Sequence, residues 1–207
     1  MIRLPAGTED SFVAGPVDQH PAAAVAVIEE ILDAAIDLLV DGGMEALTFQ
    51  NVAERAVVSR ATMYRRWPSP THLAAEAIRT RANASIRVPD LGSLSMDLSD
   101  VLRQIGLFID TPVGRASLAA SLDIGPVDVG APNWGERWDQ VQPIVDRAVE
   151  RGELEPGVDG EATFAALAGA MYFRVLVTGR SVDDGWIERV LAANLPGSRD
   201  GRDQRSR

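Results

Sequence analysis

Arg60, Arg65 and Arg66 fall within seven residues, interleaved with the hydroxyls of Ser59, Thr62 and Tyr64. A guanidinium offers a planar fork of N–H donors that suits phosphate oxygens and the O6/N7 edge of guanine, and hydroxyls add phosphate contacts. The chemistry in view is polyanion recognition. Bond-breaking chemistry has little to work with. The chain has no cysteine, and all twenty basic residues are arginine, so disulfides, thiolate metal sites, cysteine nucleophiles, a phosphate-loop lysine and a Schiff-base lysine are excluded. His20 and His72 are the only histidines. With no His-Glu-x-x-His pattern and no partner at ligand spacing, no metal site, no cofactor and no catalytic residue is expected. Gly-x-Ser-x-Gly and Gly-x-Gly-x-x-Gly are also missing from the sequence.

The formal charge of -10 over 207 residues argues against nucleic acid only if it is evenly spread. Residues 1–46 sum to -8 and residues 89–207 to -7, whereas residues 47–88 carry seven arginines against Glu54 and Glu76, a sum of +5. Phosphate attraction is screened within a Debye length of roughly 8–10 Å, so a local basic island suffices for a local polyanion site.

The elements that must position these residues are helical. Val25, Ile28, Ile31, Leu32, Ala35, Leu38 and Leu39 recur at helical spacing until Gly42-Gly43, which predicts a helix over about 22–41. Thr48 suits the cap of a short helix to about Ala56, and Ser59 that of another to about Trp67. Ser69-Pro70 is a cap followed by a proline at the first helical position, opening a fourth helix to about Ile86. Pro89 to Ser95 reads as a linker. Beyond it the spacing predicts helices over about 98–109, 112–122, 134–152, 160–178 and 184–194, with a loop over 124–133. The expected fold is all-α with about nine helices. It divides into a leader (1–20), a helix-turn-helix domain with a connecting fourth helix (21–88), a helical C-terminal domain (95–196) and a tail (197–207). No signal peptide is read in the leader, and the apolar run Ala162 to Phe173 falls short of the roughly 20 residues that span a bilayer, so a cytoplasmic, membrane-free protein is expected.

Two short helices joined across Ala56 to Ser59 have the spacing of a helix-turn-helix. At about 100° per residue, Ser59, Met63 and Trp67 share the inward side of the second helix, while Ala61 and Arg65 point outward with Thr62 and Tyr64 beside them. Arg60 and Arg65 are the candidates for guanine, Ala61 for close approach, Thr62 and Tyr64 for phosphate, and Arg66 for phosphate in preference to base.

From Ile31-Leu32-Asp33-Ala34-Ala35 through Leu47-Thr48, Val52-Ala53-Glu54-Arg55-Ala56, Val58 to Ser69 and Leu73, the chain resembles the TetR/AcrR-type transcriptional repressors. The stretch Ala148 to Leu154 with Val158-Asp159 is similar to one ligand-domain subtype of that family. The resemblance implies a homodimeric repressor bound to double-stranded operator DNA and released by a small molecule. It assigns DNA contact to the region of Thr48, Ser59, Arg60, Ala61, Thr62, Tyr64, Arg65, Arg66, Thr71 and His72. It places Leu102, Ile105, Phe108, Trp134, Trp138 and Met171 on helices around an inducer pocket. Trp134 and Trp138, four residues apart, can form one wall for a lipophilic or aromatic effector. The last two helices pair with their copies in this family, which assigns a dimer interface to Ala162, Ala166, Gly169, Ala170, Ile187, Val190, Leu191 and Asn194. Two positions depart from the pattern. Val57 stands where the family often has glycine, and Pro70 where it commonly has a phosphate-binding lysine. A helical interaction module without DNA binding, or a small helical enzyme, are the competing classes.

Overall fold

A computed structural model describes residues 21–125 and 131–195. The expected leader 1–20 and tail 197–207 lie outside the described residues. Nine α-helices occur among the described residues: α1 (Pro21–Ala46), α2 (Phe49–Arg55), α3 (Arg60–Arg66), α4 (Pro70–Ala84), α5 (Leu94–Ile109), α6 (Pro112–Ile124), α7 (Ala131–Glu150), α8 (Gly160–Tyr172) and α9 (Asp184–Asn194). No strand occurs among them.

Side-chain caps start most of these helices. Thr48, Ser59, Ser69, Ser93, Thr111, Asp159 and Asp183 each accept a hydrogen bond from a backbone N–H in the first turn of the helix that follows, satisfying donors that the helix leaves orphaned. Ser93 moves the start of α5 back to Leu94, earlier than the apolar spacing implies. Gly43, at φ 64°, breaks α1 where the glycine pair predicts a stop, and a short helical segment resumes beyond it to Ala46. Ile124 and Ala131 to Asn133 of the expected 124–133 loop are helical, and residues 126–130 lie outside the described residues.

Two apolar cores form. The first joins α1 to α4 through Ile31, Leu39, Phe49, Val52, Met63, Trp67, Leu73 and Ile78. The second joins α5 and α7 to α9 through Leu98, Leu102, Ile109, Ile144, Phe164, Leu167, Met171 and Ile187. Helix α6 bridges them: buried Ala120, with Val113, Ala116 and Ile124, packs onto the first core. The linker is equally tied down. Asp97, fully buried, accepts from the Leu91 N–H (2.6 Å), and Arg147 donates to the Pro89 carbonyl (2.6 Å).

Helix α8 continues past Arg174 as a π-helical turn over Phe173–Val177, so the apolar stretch exceeds the run ending at Phe173. Arg174 does not interrupt it because its guanidinium turns back onto the Ser181 carbonyl (2.6 Å) and Asp183 (2.6 Å). Gly160–Val177 is apolar enough by composition for a membrane span, with mean hydropathy 1.2; in the fold it packs against α5, α7 and α9.

Candidate nucleic-acid interface

The turn between α2 and α3 is built around an unusual residue. Ala56 donates to the Val52 carbonyl (2.9 Å) and Val58 reaches back to the Ala53 carbonyl (2.9 Å), the closure of a helix end that needs a left-handed residue between them. Val57 fills that place at φ 54°, the only non-glycine residue with positive φ among the described residues, and is 90% exposed. The turn is therefore strained and keeps its geometry. A β-branched residue there costs on the order of 1–3 kcal/mol with no burial in return. Val57→Gly should raise stability by about 1 kcal/mol after the extra chain entropy of glycine, seen as a melting temperature roughly 2–4 °C higher; an unchanged or lower value would show that the strain is absent.

Helix α3 is anchored by Met63 and Trp67, both buried. Ser59, expected on the inward side, is exposed: its Oγ is needed at the cap, 3.3 Å from the Thr62 N–H and 3.0 Å from Thr62 Oγ1. Arg60, Ala61, Tyr64 and Arg65 are exposed on the outer side. The Tyr64 ring meets Phe49 edge-on at 4.9 Å, so α2 holds its orientation. Thr48 is occupied in capping α2, its Oγ1 3.1 Å from the Asn51 N–H. At the start of α4 the His72 N–H donates to Ser69 Oγ (3.4 Å), which also meets His72 Nδ1 (2.8 Å); Thr71 sits half-buried beside it.

Ion pairing divides the basic island. Arg55 binds Asp41 (2.7 Å), Arg66 binds Glu76 (2.7 Å), Arg79 binds Glu136 (3.0 Å) and Arg81 binds Asp33 (2.7 Å). Arg60, Arg65 and Arg87 have no such partner among the described residues. Arg66, where the sequence suggests phosphate contact, is exposed and paired with Glu76 of the same chain. Burial works to raise the pKa of Glu76, but hydrogen bonds from Arg66 and from Trp67 Nε1 (2.7 Å), with the charges of Arg66 and Arg79, hold it below the usual carboxylate range. The carboxylate stays ionised and the pair stays neutral at pH 7.

A cavity of about 180 Å³ lies between α4, α5, α6, α7 and α8. Ile105, Phe108 and Trp134 line it, as do Ser117, Ser121, Arg137, Phe164 and Tyr172, which the apolar pattern did not single out. Trp134 stacks on Phe164 at 5.6 Å, and its Nε1 is tied to Glu161 (2.7 Å). Leu102 and Met171 are instead buried in the second core, and Trp138 faces a different cleft with Val145 and Gly160. The single wall of two tryptophans is not formed. Arg137 had a detectable signal: it sits on the Trp134, Trp138, Val141 stripe, a charge on an otherwise apolar face. Among the described residues no cluster of three His, Asp or Glu side chains is arranged to hold a metal.

The family profile described as bacterial regulatory proteins, tetR family, matches residues 31–77. A second, the tetracyclin repressor-like C-terminal domain, matches residues 88–193, half of the chain. This chain belongs to the TetR family. Its relatives carry regulator names: HTH-type transcriptional regulator AqdR of Rhodococcus erythropolis is 29% identical over 173 residues, covering 82% of this chain and 84% of the relative. YdeS of Bacillus subtilis, another HTH-type transcriptional regulator, is 28% identical over 167 residues, covering 78% and 84%. The crystal structure of the TetR family transcription regulator SCO0332 superposes with a TM-score of 0.62 at 28% identity, over 80% of this chain and 94% of that one.

For this TetR-family regulator the third surface is on α8 and the π turn. Ala162, Ala166 and Gly169 are exposed and Ala170 is half-buried, and they continue into exposed Phe173, Leu176 and Val177. Ile187, Val190 and Leu191 of α9 are 1%, 6% and 4% exposed. They are spent on the chain's own core, and only Asn194 of that stripe reaches the surface. The helical period identified the apolar face of α9 without telling which chain it packs against.

Proposed function

We propose that this regulator is a homodimeric repressor that reads a near-palindromic operator with α3 and leaves it when a lipophilic or aromatic effector fills the 180 Å³ cavity. The observation that carries the reading is the unpaired state of Arg60 and Arg65 on the exposed side of α3, while four neighbouring arginines are neutralised within the chain. Free guanidiniums on the exposed side of a short helix suit a major groove. One such helix reads few base pairs, so two copies are needed, joined through the exposed small-residue and apolar face of α8. Half-sites then lie about one helical turn, roughly 34–36 Å, or a multiple of it apart. A cytoplasmic location follows from the DNA partner.

Helix α4 supplies the coupling. It starts at Ser69 beside α3 and ends against α7, where Glu136 accepts from Arg79 and Asn83 and the Ala82 carbonyl accepts from Arg137 (2.6 Å). A shift of α7 around an effector therefore acts on the end of the helix that seats the DNA motif.

Binding to a fragment of the protein's own upstream DNA at two salt concentrations tests the reading. Several phosphate contacts should make affinity fall at least about tenfold between roughly 50 and 200 mM salt, with two chains per operator by ultracentrifugation. A monomer with full affinity would remove the dimer, and salt-independent or absent binding would favour an interaction module that no longer reads DNA.

A further inference from the structure

The cavity contains a charge that its own chain does not neutralise. Arg137 is 9% exposed, and among the described residues no carboxylate lies within ion-pair distance of it. Its guanidinium is held by neutral acceptors alone, Gln140 Oε1 (2.8 Å) and the Ala82 carbonyl (2.6 Å). The adjacent acid, Glu136, is turned onto Arg79 and Asn83. Buried cations are costly and are ordinarily paired. Desolvation lowers the pKa of Arg137, offset in part by Tyr172 and Glu136, yet a guanidinium remains charged in proteins. A second polar group is also unspent. Ser117 is 3% exposed, lines the same cavity, and its Oγ has no hydrogen-bond partner. The remaining wall is aromatic, with Phe108 and the Trp134–Phe164 stack.

We propose that the effector is an aromatic carboxylate, its ring against Phe108, Trp134 and Phe164, its carboxylate on Arg137 and Ser117. This rests on reading the cavity as the effector site and adds the charge of the ligand. A carboxylate takes two parallel N–H donors of arginine. The Nη2 that now holds the Ala82 carbonyl then faces a stronger acceptor, so binding loosens the junction between α7 and the end of α4. The ligand's charge, as well as its bulk, thereby acts on the DNA motif.

The test uses full-length protein near pH 7 and a series from phenylacetate to 6-phenylhexanoate, each beside its neutral carboxamide, followed by calorimetry and by intrinsic tryptophan fluorescence. At least one acid should bind about tenfold or more tighter than its amide, the size of one charge-assisted contact. Arg137→Gln should erase that preference, and Arg137→Lys should keep part of it. Should Arg137→Gln fail to fold, Arg137→Lys together with Ser117→Ala carries the comparison, since both must shrink the acid-over-amide ratio. Equal binding of acid and amide, or a preference that survives Arg137→Gln, overturns the charge assignment and leaves the cavity a ligand site. Binding by neither overturns both.

Discussion

Arg65→Ala is expected to weaken operator binding by about 1–3 kcal/mol, roughly five- to 150-fold, and to relax selectivity at one base pair. Arg65 is exposed on α3, opposite buried Met63 and Trp67, and has no ion-pair partner among the described residues. Its removal therefore leaves no orphaned acid and no gap in the core, and stability should hold within about 0.5 kcal/mol. Arg66→Ala should behave differently despite being one residue away. Its guanidinium lies 2.7 Å from Glu76 Oε1, and the same carboxylate accepts from Trp67 Nε1 (2.7 Å). Losing Arg66 leaves Glu76 to Trp67 and disturbs the seat of α3, so its effect should be uniform across sequences, with less than about one unit of change in the salt slope. Anisotropy titrations on an operator and its single-base variants, over a salt series, separate the two. An Arg65→Ala protein that loses all sequences equally, with the slope reduced by one, would make Arg65 a phosphate contact. An Arg66→Ala slope reduced by one would mean that its ion pair opens on DNA.

Asp97→Ala is expected to destabilise the fold by about 3 kcal/mol. Asp97 is fully buried and collects the Leu91 N–H (2.6 Å), Arg147 Nη2 (3.5 Å) and Arg151 Nη2 (3.9 Å). Arg147 also holds the Pro89 carbonyl and Asp90, and Glu153 accepts from the Leu94 N–H (2.7 Å). The passage from the helix-turn-helix domain to the C-terminal helical domain is thus clamped to the C-terminal end of α7 by polar contacts centred on buried Asp97. The arginines remain partly exposed and their distances are long, which places the loss at the lower end of the range for breaking a buried pair. A fall in melting temperature of roughly 6–12 °C follows, and Asp97→Asn, which keeps an acceptor for Leu91, should recover part of it. A shift under about 2 °C would show that the clamp contributes little.

The helix starts were legible because a cap is a local event. Thr48, Ser59 and Ser69, the caps read from the sequence, each act on an N–H three residues away. Apolar periodicity likewise located the buried faces of α1, α3, α5 and α9. The departure at Val57 was visible through the family resemblance, which often sets glycine there; that the turn keeps its left-handed geometry came from the fold.

Partnership was a different matter. Arg81 finds Asp33 forty-eight positions away and Arg79 finds Glu136 fifty-seven away, so the count of arginines in the basic island overstated the free positive charge. Only folding showed that Arg60 and Arg65 are the unpaired members on α3. The same limit governed the cavity and α9. A helical stripe states that one face is buried, and it carries no mark of whether it meets its own core, a second copy or a ligand. Trp134 and Trp138, four apart on α7, went to different clefts, Ile187 and Leu191 went inward, and Arg137 came to rest beside the cavity without a counter-charge. Local hydrogen bonding and periodicity are written over a few residues. Which charges are neutralised and which faces stay open depends on elements that meet only when α4, α6, α7 and α8 pack together.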